Sequence, residues 1–208
     1  MKINRPLIVA SLAVTSKEKL RKIHSINSDL IELRLDYLEN PFDVPLHWIK
    51  DLRNKVIVTV RNKEEGGINE IDEDKKRDFL KKLYRLGIRY DVEAKFLEKH
   101  DIQYENQIVS AHFLSRLPSK KELREIISKY YRNAFAVKLA IKAKGNYREL
   151  LIYALNFKNI AVMPIDGDPI ERIAFALLGS KLVYGFVSIP TAEGQLSYKE
   201  LIRIFNYF

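Results

Sequence analysis

Short apolar runs rich in β-branched residues recur eight times along the chain, at 7–14, 30–37, 56–61, 90–94, 107–113, 134–141, 159–165 and 182–189. Each is the length of a strand. Most gaps between them carry a helix-period pattern, clearest at 75–86, 120–131, 147–157 and 169–178; the gap at 47–53 is shorter and its helix signal weaker. Helix starts are written as Ser/Thr followed three residues on by Glu: Thr15 with Glu18, Ser119 with Glu122, Ser197 with Glu200. Gly87 and Gly179 stand where helices should stop. Strand–helix alternation implies parallel pairing through right-handed crossovers. Eight such units predict an α/β fold, a (β/α)8 TIM barrel, as one domain over 1–208 with a short N-terminal end. The alternative, a doubly wound open sheet, lacks its Gly-rich turn after the first run.

The second run breaks the rule for a buried parallel strand, which should read as nearly continuous Val, Ile and Leu. It reads Glu32-Leu33-Arg34-Leu35-Asp36. If the leucines face the helices, the charges point into the barrel or its mouth. Asp91 and Glu93 repeat the pattern, as do Ser110 with His112; Thr59 and Arg61 close the third run, and Lys138 stands between Val137 and Leu139. Buried charges cost several kcal/mol each, on the order of the desolvation penalty, unless paired. An internal ion-pair network would account for some of them. Ionisable groups on five successive strands, aimed at the end where barrel enzymes bind substrate, point to an active site.

Composition narrows the chemistry. With no cysteine among 208 residues, thiol catalysis, disulfides and Cys-ligated metals are excluded. The net charge is +9, but Lys and Arg are spread along helices among acids, as in Lys17-Glu18-Lys19, so a solvated surface explains them better than a nucleic-acid partner. No run approaches a membrane span. Lys2 and Arg5 before 7–14 imitate a signal peptide, though the run reads better as a strand. No His pair has metal-ligand spacing, and the turns after the last two strands, with Asp166, Asp168 and Glu193, suit a phosphate poorly. Arg61 and Arg172 suit a carboxylate. A lysine in a dry cavity near Arg34 or Arg61 should have a depressed pKa, making Lys138 a nucleophilic amine toward a ketone. His112 on the next strand can move protons near neutrality. Lys142 and Lys144 fall past the strand end, and His24, His47 and His100 read as ordinary surface or core residues.

Seven pieces in order then resemble the type I 3-dehydroquinate dehydratases over essentially the whole chain. They are Glu32–Asp36, the T-V-R-x-x-x-E-G-G of Thr59–Gly67, D-V-E at Asp91–Glu93, S-A-H at Ser110–His112, V-K-L-A at Val137–Ala140, Arg172, and A-E-G-Q at Ala192–Gln195. The resemblance implies dehydration of 3-dehydroquinate to 3-dehydroshikimate in the shikimate pathway, by a cytoplasmic enzyme without cofactor or metal, in some members a homodimer. It implies Lys138 as Schiff-base lysine, His112 as general acid/base and Glu65 as the carboxylate orienting it. Glu32, Arg34 and Arg61 would read ring hydroxyls, Arg172 aided by Gln195 would hold the carboxylate, and Thr191 would keep the substrate-binding hydroxyl of a closing loop. Departures from the family pattern are Glu171 where a serine is usual, an extra residue between Gly167 and Arg172, and Glu193 where proline is commoner. The chain also starts almost at its first strand, so the covering hairpin of the barrel floor is expected to be missing. A class I Schiff-base aldolase would share Lys138 but not need the His112–Glu65 pair. A catalytically dead nucleic-acid-binding barrel would have no use for an inward lysine.

Overall fold

The computed structural model describes residues 5–207; Lys2 of the signal-like segment lies outside them. Eight strands follow the predicted runs: β1 Leu7–Ala13, β2 Leu30–Arg34, β3 Val56–Thr59, β4 Arg89–Glu93, β5 Ile108–Phe113, β6 Ala136–Lys142, β7 Ile160–Ile165 and β8 Leu182–Phe186. The helices are α1 Glu73–Arg85, α2 Ala94–Lys99, α3 Lys120–Tyr130, α4 Tyr147–Ala154, α5 Pro169–Leu177 and α6 Tyr198–Phe205. All ladders are parallel, in the order β7-β6-β5-β4-β3-β2-β1-β8. The last seam, β7 to β8, is closed by single bonds: Lys181 N–H to the Ile160 carbonyl at 2.7 Å and Val162 N–H to Ser180 Oγ at 3.0 Å. The chain is therefore a nearly closed TIM barrel. No helix among the described residues is long and apolar enough to cross a membrane.

Alternation sorts each strand as expected. Ile31, Leu33 and Leu35 pack outward against the helices in one core cluster, and Val109, Val137 and Leu139 do so in a second. Inside, Val9, Leu30, Ile57, Ile108, Ala136 and Leu182 fill the lower barrel as a dry plug. The polar residues that line the cavity lie above it. This plug gives the charged ring a rigid, water-poor floor.

Local differences have local causes. β2 ends at Arg34, and Leu35–Tyr37 form a 3-10 turn that still buries Asp36. β3 ends at Thr59, so Arg61 lies just beyond the strand, and β8 stops at Phe186 rather than 189. Residues Lys17–Ser25 form a 3-10 helix with Ser16, not Thr15, at its N-cap and no side-chain cap bond. The weak helix at 47–53 is two 3-10 turns, Leu46–Trp48 and Lys50–Leu52. Ser197 and Glu200 make a full capping box. Ser119 caps α3, but Glu122 is drawn away to Arg116, at 2.5 and 2.8 Å. Gly87 and Gly179 follow α1 and α5 with positive φ.

Candidate active site

The C-terminal mouth of the barrel opens on one cavity of about 200 Å3, a size that closes around a single small molecule. Glu32, Arg34, Arg61, Glu65, His112, Lys138, Arg172, Thr191 and Gln195 all line it. Every residue singled out from the sequence as a site residue is therefore brought to one place.

Strand register puts Lys138 beside Ser110, with His112 one inward position higher on β5. The Lys138 amine is buried, 2.8 Å from Asp91 Oδ2 and 3.8 Å from Glu32 Oε1, and lies 4.6 Å from the centre of the Tyr184 ring. Its neighbours are thus carboxylates, not the arginines expected from the sequence. Those arginines have their own partners. Arg34 grips Asp36 in a two-pronged pair, both bonds 2.8 Å. Arg61 reaches Asp91 at 2.8 Å, Glu93 at 3.1 Å and the Ser110 hydroxyl at 2.7 Å. Burial alone would lower Arg61, but Asp91 and Glu93 more than reverse it and raise its pKa. Glu32 accepts from the hydroxyls of Ser11 and Thr59.

A tight turn after β3 carries Glu65 back over the mouth. Gly67 makes it possible, because a Cβ there would stand 2.1 Å from the Arg61 carbonyl oxygen. Glu65 Oε2 then accepts from the His112 backbone N–H at 3.1 Å and lies 2.9 Å from His112 Nδ1. With Nδ1 on a carboxylate, Nε2 is the nitrogen left to accept a proton in the cavity. Burial, followed by the charges of Arg61 and Lys138, holds His112 well below the ordinary imidazole range. Burial raises Glu65 to about 7, with Glu93 adding to the rise and Arg61 opposing it.

Across the cavity, Arg172 in the first turns of α5 is buried without a carboxylate partner among the described residues. Its Nε and Nη2 donate to the carbonyls of Gly194 and Glu193, both at 3.0 Å, while Nη1 faces only the Met163 sulfur at 4.0 Å. Burial lowers its pKa to about 10. The approach to Arg172 is set by the helix start, where Asp168 is the N-cap and Pro169 the first residue. Glu171, in the place of the usual serine, turns outward to the Tyr147 hydroxyl at 2.6 Å and Arg148 at 2.6 Å. The segment after β8 folds over the cavity. Gln195 Oε1 accepts from Thr191 N–H at 2.8 Å and Ala192 N–H at 3.2 Å, and Thr191 Oγ1 meets Ser11 Oγ at 2.9 Å. Lys142 proves to be the last residue of β6, exposed and paired with Asp166 at 3.3 Å.

Sequence reading missed Ser11, Tyr184, Met163 and Lys76. Ser11 and Tyr184 sit at inward positions of apolar strands, so period-2 counting could have found them. Met163 reads as plain core, and Lys76 reads as surface.

A nearly closed parallel barrel with a buried lysine, a carboxylate-held histidine and a buried arginine that has no carboxylate partner among the described residues, all facing one small cavity, defines a TIM-barrel enzyme acting on a small molecule. Comparison narrows the class. Residues 7–151 match the model of the type I 3-dehydroquinase family. A 3-dehydroquinate dehydratase of Saccharolobus solfataricus is 45% identical, covering 98% of this chain and 94% of the relative. One of Metallosphaera sedula is 46% identical, covering 98% of each. Among solved structures, the 3-dehydroquinate dehydratase of Geobacillus kaustophilus superposes with a TM-score of 0.77 at 20% identity, covering 98% of this chain and 91% of that one, a likeness of fold. The chain belongs to the type I 3-dehydroquinase family, and it is a hydro-lyase of that family.

Proposed function

We propose that this chain dehydrates 3-dehydroquinate to 3-dehydroshikimate through a Schiff base on Lys138, as a cytoplasmic step of the shikimate pathway toward aromatic amino acids. The observation that carries the reading is the buried Lys138 amine one inward position below an imidazole whose Nδ1 is taken by Glu65. The amine adds to the substrate ketone and water leaves, giving an iminium that acidifies the adjacent C–H. His112 Nε2 takes that proton, and the electron pair moves into an enamine. The enamine expels the neighbouring hydroxyl, which receives the proton back from His112 and departs as water. Hydrolysis of the remaining imine returns the free amine. The lysine supplies the electron sink, so the reaction needs no cofactor.

Binding follows from the charges left over. Arg172 takes the substrate carboxylate, with Thr191 and Gln195 closing the loop above it. Glu32, whose partners are hydroxyls, receives a ring hydroxyl, and Arg34 and Arg61 hold the carboxylates around it. The test is borohydride reduction in the presence of 3-dehydroquinate, read by intact-mass and peptide mass spectrometry. A stable adduct on the Lys138 peptide is expected. A folded protein that leaves the substrate intact and carries no adduct overturns the reading.

A further inference from the structure

Lys76 is fully buried on α1, outside the cavity, in a helix whose other lysines reach solvent. Its amine lies 2.6 Å from Glu93 Oε2 and 2.6 Å from Asn62 Oδ1, 4.6 Å from the centre of the Phe96 ring. The other Glu93 oxygen accepts from Asn62 N–H at 3.0 Å and meets Arg61 at 3.1 Å. A lysine on a helix normally extends its head to water. Burial pulls the Lys76 pKa down despite Glu93, so its position is costly, and an apolar side chain of the same length would fill the space. Its effect lies in the charge balance. Lys76, Arg61 and Lys138 face Glu93, Asp91 and Glu32, charge for charge. Without Lys76, Glu93 and Asp91 would both depend on Arg61, while Asp91 also serves Lys138.

We propose that Lys76 is a positioning residue of the active site: acting through Glu93 from behind the barrel wall, it sets the field in which the His112–Glu65 pair exchanges its proton. The proposal rests on the reading of that pair as the acid–base centre. The path is short. Glu93 is one of the charges that raise Glu65, opposed by Arg61 from the end of β3 and Lys95 from α2. Glu98 of α2 and Glu122, Glu125 and Lys129 of α3 line a second groove with Glu65, while His112 bonds it from β5. Among these, Glu93 is the one tied to a buried cation outside the cavity.

The experiment is kcat/KM against pH for the whole enzyme, with wild type, Lys76→Met, Glu93→Gln and the double variant. Wild-type turnover and a borohydride adduct on Lys138 are measured first, so failure of the dehydratase reading is seen separately. Loss of the Lys76 charge should move the acid limb up, on the order of one pH unit. Glu93→Gln should move it down, and the double variant should return it close to wild type. If Lys76→Met does not fold, Glu93→Gln and the double variant carry the test. A folded Lys76→Met with an unmoved limb, or a double variant that does not restore it, overturns the proposal.

Discussion

Lys138 of β6 and Asp91 of β4 form a buried ion pair over the intervening strand, 2.8 Å from Nζ to Oδ2, and the second oxygen of the same carboxylate holds Arg61 at 2.8 Å. One aspartate thus compensates two cations. Burial by itself would raise the Asp91 carboxyl, but Arg61 and then Lys138 overcome it and hold it well below the usual carboxylate range. A carboxylate depressed in this way contributes stability that is present above its unfolded pKa, about 3.9, and is lost as pH falls toward its folded value.

Asp91→Asn should therefore destabilise the protein by about 3–5 kcal/mol at neutral pH, because Arg61 is left to Glu93 alone and Lys138 to the more distant Glu32. The deficit should shrink progressively below about pH 4. Urea unfolding at pH 7 and pH 3 measures both. An equal deficit at the two pH values would mean that the charge pair is not its source.

Glu65, raised to about 7, should govern the acid side of the activity profile. As pH falls through that value, the carboxylate that orients His112 takes a proton and the imidazole loses its anchor. His112 itself stays unprotonated to lower pH, since burial and the nearby cations oppose its charge. Glu65→Gln should lower kcat/KM by about 10–100-fold. It should also remove the inflection near neutrality. Retention of that inflection in the variant would assign it to another group.

Much of this site could be read from period-2 alternation, since a charge between two leucines, as at Arg34, or between Val and Leu, as at Lys138, has few interpretations in a parallel strand. The barrel followed from eight such runs, and its strand ends missed where tertiary contacts decide. Asp36 looks like strand but sits in a 3-10 turn because Arg34 and the Ile68 N–H hold it there. The neighbours of Lys138 were misjudged for a related reason. Sequence lists which charges enter the barrel, while barrel stagger decides which of them meet. Lys76 was invisible because an α-helix pattern gives a lysine in a Lys-rich segment a solvent position, and only the packed partner Glu93 reverses that.

Arg172 is a buried cation held by two loop carbonyls and, among the described residues, by no carboxylate, with its pKa lowered to about 10 by burial. Such a group favours binding over stability. Arg172→Met should raise KM for dehydroquinate by two or more orders of magnitude, about the loss of a buried charge-assisted pair. The substrate-free protein should meanwhile become more stable, by on the order of 1 kcal/mol. Steady-state kinetics with thermal unfolding reads both effects. A variant that loses stability and keeps its KM would make Arg172 part of the scaffold.

Gly194 is where the covering loop meets the loop after β7. Its φ is +72°, and a Cβ added there would stand 2.5 Å from the Gly167 carbonyl oxygen. Its own carbonyl is one of the two that Arg172 holds. Gly194→Ala therefore adds both left-handed strain and a backbone clash, together on the order of 1–3 kcal/mol. The loop can relieve this by lifting, because the barrel beneath it is packed independently around the apolar plug. Lifting withdraws Thr191 and Gln195 from the cavity and turns the Arg172 donors loose. The variant should show KM raised about tenfold or more for each 1.4 kcal/mol of closure lost, with its thermal midpoint little changed. A lowered midpoint with an unchanged KM would place Gly194 in the stability of the barrel rather than in the closing of its mouth.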